Sequence, residues 1–123
     1  KVVQDEKFNL IIDKDAAKGC ETWPRVIIQG HMDMVCVAAK GVQYDPLTSP
    51  IKIINDGEFL RADGTSLGAD DGIGVAVAMY LLQQDFNHGP IRAIFTVDEE
   101  QGMTGAKALD EKYLIRCKIS YKL

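Results

Sequence analysis

The chain has 123 residues, 46% of them hydrophobic, which suits one modest core and so one domain or part of one. Its 14 basic and 18 acidic residues give a formal charge of -4 with no basic stripe, which excludes nucleic acid as an expected partner. No apolar run approaches the roughly 20 residues that span a bilayer, and Lys1-Val2-Val3-Gln4-Asp5-Glu6 lacks the apolar stretch of a signal peptide, so no membrane partner is expected either.

In chain order, Phe8 to Ile12 reads as a strand, and 14–24 as a polar loop. Arg25 to Gln29, with Val26, Ile27 and Ile28 β-branched in a row, reads as a strand buried on both faces. Gly41 to Pro50 holds two prolines and is another loop. Ile51 to Ile54 and Phe59 to Arg61 flank Asn55-Asp56-Gly57, residues that tolerate positive φ, and predict a hairpin outside the main sheet. From Asp70 to about Gln84, Ile73, Val77, Tyr80 and Leu81 recur at helical spacing with Ala76, Ala78 and Met79 on the other faces, predicting a largely buried helix.

His88-Gly89-Pro90 ends that unit. Ile91 to Val97 is a second buried strand, Met103 to Asp110 a short helix, and Ile115 to Leu123 the start of another strand. Cys20, Cys36 and Cys117 are odd in number and widely spaced, which argues against a disulfide framework or a thiolate zinc site and favours a reducing, cytoplasmic setting. The expected fold is α/β, a three-layer α/β/α arrangement around a mixed sheet.

The chemistry concentrates at three places. Gly30-His31-Met32-Asp33 follows the strand ending at Gln29; residues i and i+2 of a strand share a side, so Asp33 can reach the His31 ring and fix its tautomer. So short a pattern is often just a satisfied polar strand end. Leu67-Gly68-Ala69-Asp70-Asp71-Gly72-Ile73-Gly74 puts two carboxylates at the start of the long helix, where ordinary capping also favours Asp. A dinucleotide loop is excluded there, because Val77 replaces the third glycine and two carboxylates would repel a phosphate. Thr96-Val97-Asp98-Glu99-Glu100-Gln101-Gly102 places three carboxylates after a buried strand; such runs are usually solvated turns. Yet ligands of α/β proteins collect at the carboxyl ends of strands, where both this run and His31 sit. One imidazole and several carboxylates make a ligand set for a zinc pair that keeps open positions for water.

His31-Met32-Asp33-Met34-Val35, the Thr65 to Gly74 series and Glu99-Glu100-Gln101-Gly102-Met103, in that order, resemble the zinc metallopeptidases that include carboxypeptidase G and aminoacylase. Within that family they are most similar to the cytosolic aminoacyl-histidine (Xaa-His, β-alanyl-histidine) dipeptidase branch. The resemblance covers nearly the whole chain. It implies that His31 binds the first of two zinc ions (or another divalent metal), that Asp70 bridges both and that Glu100 binds the second. It further implies that Asp33 orients His31 and Glu99 is the general base. The implied partner is a small peptide substrate, with a homodimer as an option for the full-length protein.

Two positions depart from the family pattern, Asp71 where Asn is usual and Asp98 before the glutamate pair, and each adds a carboxylate. The pattern also calls for an acidic ligand soon after the strand Ile119 to Leu123, a distant histidine ligand and a second domain. His88 matches none of these, so residues 1–123 are expected to be part of the catalytic domain and inactive alone. Two other readings stay open: a non-catalytic metal-binding or interaction domain, and an aminoacylase or tripeptide aminopeptidase of the same fold.

Overall fold

The computed structural model describes residues 1–114 and the backbone of 117–122. A five-stranded mixed sheet has the order β1 (Val2–Gln4), β2 (Leu10–Lys14), β6 (Ile91–Thr96), β3 (Arg25–His31) and β7 (Cys117–Lys122). Between β3 and β6 the chain makes a separate hairpin, β4 (Ile53–Asn55) with β5 (Leu60–Ala62), and then α1 (Ala69–Gln83). After β6 come α2 (Thr104–Lys107) and a 3-10 turn, Glu111–Tyr113. No helix among the described residues is long and apolar enough to cross a membrane.

β6 takes the centre because its sequence, Ile-Arg-Ala-Ile-Phe-Thr, offers a buriable side chain on either face, and all six residues are buried. On one face Ile91, Ala93 and Phe95 join Ile28 and Ala78 of α1 in the main core, with Leu10, Ile12 and Val26 packed around them. Strand alternation sends Arg92 to the other face, where its guanidinium holds Asp13 through two bonds of 2.7 and 2.9 Å and donates to the Tyr113 carbonyl of the 3-10 turn at 2.7 Å. Elements therefore flank the mixed sheet on both sides, as the α/β/α reading requires.

The details correct several boundaries. β1 lies in a segment with no strand signal of its own, and it pairs only with β2. β2 starts two residues later than the apolar run suggests, because Phe8 sits at φ 69° and bends the chain before the sheet. The expected helix from Met103 to Asp110 is shorter, Thr104–Lys107, with Met103 itself at φ 60°. Of the last predicted strand, Ile115, Arg116 and Leu123 lie outside the described residues.

The larger correction concerns α1, which is not largely buried. Only Asp71, Gly74 and Ala78 are fully buried, whereas Ile73 and Tyr80 are 63% and 62% exposed. The helix is apolar on every side, so its pattern does not select a face; Ala78 packs into the core, Gly74 leaves room for the Asp71 carboxylate, and the Ile73, Val77 and Tyr80 stripe turns outward.

Candidate metal centre

β3 and β6 run parallel, and His31 is paired in register with Thr96, the last residue of β6. Their two outgoing loops start side by side, joined by a 2.8 Å bond from the Met32 amide to the Thr96 carbonyl. The sequence places His31-Met32-Asp33 on one loop and Asp98-Glu99-Glu100 on the other, so the imidazole and the carboxylates converge. One ligand atom from each of His31, Glu99 and Glu100 lies within 4.8 Å of the other two.

A third element arrives by a different route. The Val37 amide donates to the Ser66 hydroxyl at 2.9 Å, the Ser66 amide donates to the Val37 carbonyl at 2.9 Å, and Ala38 bridges Thr65. These contacts fasten the end of the hairpin excursion to the segment after His31. Gly68, at φ 77°, then turns the chain into α1, whose regular turns begin only after Asp70 and Asp71, both non-helical; the peptide between these two is cis. The exposed Asp70 carboxylate lies 3.0 Å from His31 Nε2.

The His31 ring is buried and faces acceptors at both nitrogens: the Asp33 carbonyl lies 3.0 Å from Nδ1, and Asp70 faces Nε2. A carbonyl cannot donate, so Nδ1 carries a proton; a carboxylate beside Nε2 then favours a second cationic partner there, a proton or a metal. Burial by itself depresses the imidazole, but the Asp70 bond, the Asp33 carbonyl and the charges of Asp33 and Asp71 raise its pKa above the ordinary histidine value.

Asp33 does more than face the ring. Its carboxylate lies 3.5 Å from Nδ1, and its two oxygens accept the Glu99 and Glu100 amides at 3.1 Å each. Burial pushes the Asp33 carboxyl up, but these amides and the neighbouring imidazole outweigh it and hold the pKa below the usual aspartate value. The two additional carboxylates have partners of their own. Asp71 accepts the His31 amide at 3.2 Å and the Gly74 amide at 3.1 Å, and a Cβ on Gly30 or Gly74 would strike that carboxylate. Asp98, at φ 55°, accepts the Thr104 hydroxyl at 2.7 Å, away from the imidazole. His88 is buried between α1 and β6, with Nδ1 2.7 Å from the Gly89 carbonyl.

Sequence reasoning misses two residues that support this corner. One is Asp71 as a clamp on the His31 backbone; its adjacency to Asp70 was a signal for acid but not for its direction. The other is Asn9, wholly buried and bonded to the loop after β6; a lone Asn at the edge of an apolar run gives no signal of where it points.

The corner fits a divalent cation by the chemistry of its donors: an imidazole with a ring nitrogen aimed at a carboxylate, and two glutamates alongside. Lys and Arg ion pairs lie elsewhere, as in Lys52–Asp63, Arg61–Asp56, Arg92–Asp13 and Lys112–Asp110.

Comparison with known proteins places the chain in a family. Peptidase family M20/M25/M40 matches residues 27–122. The cytosol non-specific dipeptidase of Escherichia coli strain K12 is 40% identical over 114 residues, covering 92% of this chain and 24% of that protein. The crystal structure of aminoacylhistidine dipeptidase from Vibrio alginolyticus superposes with a TM-score of 0.91 at 38% identity, over 98% of this chain and 25% of that one. A tripeptidase from Staphylococcus aureus superposes with a TM-score of 0.78 at 29% identity, over 99% and 33%. The chain thus spans about a quarter to a third of the length of these relatives, and it belongs to peptidase family M20/M25/M40.

Proposed function

We propose that this chain supplies part of the catalytic domain of a cytoplasmic, two-zinc dipeptidase acting on Xaa-His substrates. The observation that carries the reading is the convergence of His31, Glu99 and Glu100 at the ends of two parallel strands, with Asp70 on the His31 ring. His31, Asp70 and Glu100 would hold metal, Asp70 as the bridging carboxylate, and the further ligands of the family pattern have no counterpart in residues 1–123. When bound, the metal pair acidifies water and stabilises negative charge developing on the peptide carbonyl oxygen.

Glu99 is the general base. It takes a proton from the attacking water and returns it to the leaving amine, while its own backbone is held by Asp33. Asp33, through its carbonyl, keeps the His31 proton on Nδ1 and leaves Nε2 for metal. The relatives named for a dipeptidase and an aminoacylhistidine dipeptidase support the substrate class. A tripeptide is the second reading, favoured by the likeness to a tripeptidase.

The test is hydrolysis of β-Ala-His and other Xaa-His dipeptides by the complete protein with zinc supplied. Activity should vanish with a chelator, return with metal, and fall about 10³-fold in kcat for Glu99→Ala. Zinc-loaded, folded protein that leaves these dipeptides intact but cleaves tripeptides would replace the substrate class. A protein that binds no divalent metal would remove the metallopeptidase reading.

A further inference from the structure

The loop bearing Glu99 and Glu100 is a closed turn whose neck is formed by Val97 and Gly105, bonded to each other by the Gly105 amide and the Val97 carbonyl at 3.3 Å. Asn9, 88 and 96 positions away in sequence, grips both sides of that neck. Its Oδ1 accepts the Val97 amide at 3.2 Å, and its Nδ2 donates to the Gly105 carbonyl at 3.0 Å and to Asp5 Oδ2 at 2.8 Å. Only a side-chain amide can accept from one residue and donate to the other two at once.

Three neighbouring features serve the same grip. Asp5 also accepts the Asn9 main-chain amide at 2.9 Å, so the side chain is anchored from behind. Phe8, at φ 69°, an uncommon conformation for a bulky residue, bends the chain immediately before Asn9. Gly105 has no room for a side chain: a Cβ there would lie 2.5 Å from both Asn9 Oδ1 and the Val97 carbonyl oxygen. Opposite the neck, the Asp33 carboxylate holds the Glu99 and Glu100 amides. The glutamate pair is therefore suspended between two clasps, Asn9 from the start of β2 and Asp33 from beyond the end of β3.

We infer that Asn9 is a positioning residue for the glutamate pair: the buried amide fixes the Val97 to Gly105 loop so that Glu99 and Glu100 face His31. The inference rests on the roles given to those glutamates above. Asn9 is wholly buried and acts through the loop.

The experiment measures two quantities on the complete protein carrying Asn9→Ala. The first is amide hydrogen exchange at Glu99 and Glu100 in the zinc-free state, compared with exchange at Ile27 to Gln29 in β3. The second is zinc affinity by direct titration of the metal. Exchange at Glu99 and Glu100 about 10-fold faster with β3 unchanged, and zinc affinity about 10-fold weaker, are expected. Exchange that rises equally in β3 would reduce Asn9 to a general stabiliser and overturn the inference, as would unchanged exchange at the glutamates or unchanged zinc affinity. If Asn9→Ala does not fold, Asp5→Ala removes both acceptors behind Asn9 and should shift both quantities the same way, by a smaller factor; no shift overturns the inference. Wild-type protein that binds no zinc would defeat the metal reading, and the exchange comparison would still decide whether Asn9 holds the loop.

Discussion

Two acid-rich corners of this molecule compensate their charge in opposite ways. In the β4–β5 hairpin, Asp56 and Asp63 meet Arg61 and Lys52 on the surface, and Asp56 also accepts the Glu58 and Phe59 amides of its turn. At the ends of β3 and β6, Asp33 and Asp71 instead hold backbone amides, those of Glu99, Glu100 and His31 among them, and Asp70 bonds a buried imidazole. The hairpin closes its electrostatics locally. The strand-end corner uses its carboxylates to aim other groups and leaves Glu99 and Glu100 beside a single histidine, an arrangement that a divalent cation completes.

This contrast can be broken in three places. The largest effect is expected from Asp33→Ala, which frees the Glu99 and Glu100 amides together: zinc affinity of the complete protein should fall about 10- to 100-fold, read by titration. Retained affinity would show that the glutamates need no backbone clasp. An intermediate effect belongs to the Asp13–Arg92 pair on the far face of the sheet. Arg92 bonding outweighs burial and holds the Asp13 carboxyl below its ordinary value. A depressed carboxylate contributes stability above its unfolded pKa of about 4 and loses it as pH falls through the folded value. Asp13→Asn should therefore lower Tm at pH 7 and flatten the loss of Tm as pH falls below about 4, measured by thermal melts on acidification. The smallest effect should come from Lys52→Ala in the hairpin, an exposed pair screened by water. Neither Tm nor zinc affinity should change resolvably, and a clear loss of zinc affinity would mean that the hairpin takes part in the site.

What the sequence made legible follows from where the physics is local. β3 is marked by the Val26-Ile27-Ile28 run and β6 by the apolar residues on either side of Arg92, the hairpin by Asn55-Asp56-Gly57, and the convergence of His31 with Glu99 and Glu100 by the tendency of α/β sites to gather at strand ends. Features set by tertiary partners were not legible. β1 exists because β2 offers it an edge, and α1 buries Gly74 and Ala78 rather than its larger apolar residues because Gly74 seats the Asp71 carboxylate and Ala78 meets the sheet core. Asp71 gave the right residue type but no direction, since its carboxylate turns inward to the His31 and Gly74 amides while that of Asp70 stays outside. For Asn9 the deciding partners lie more than 85 positions away.

The antiparallel placement of β2 beside β6 has a kinetic consequence. Because β2 runs against its neighbour, its first residues arrive at the same end of the sheet where β3 and β6 finish, and that is how Asn9 meets Val97. The glutamate loop can then settle only after sequence-distant strands have paired, with loop-closure entropy already lost. Its order should appear late in refolding and disappear together with the sheet on unfolding, so the glutamate corner and the scaffold should form one cooperative unit rather than a flexible loop on a finished core.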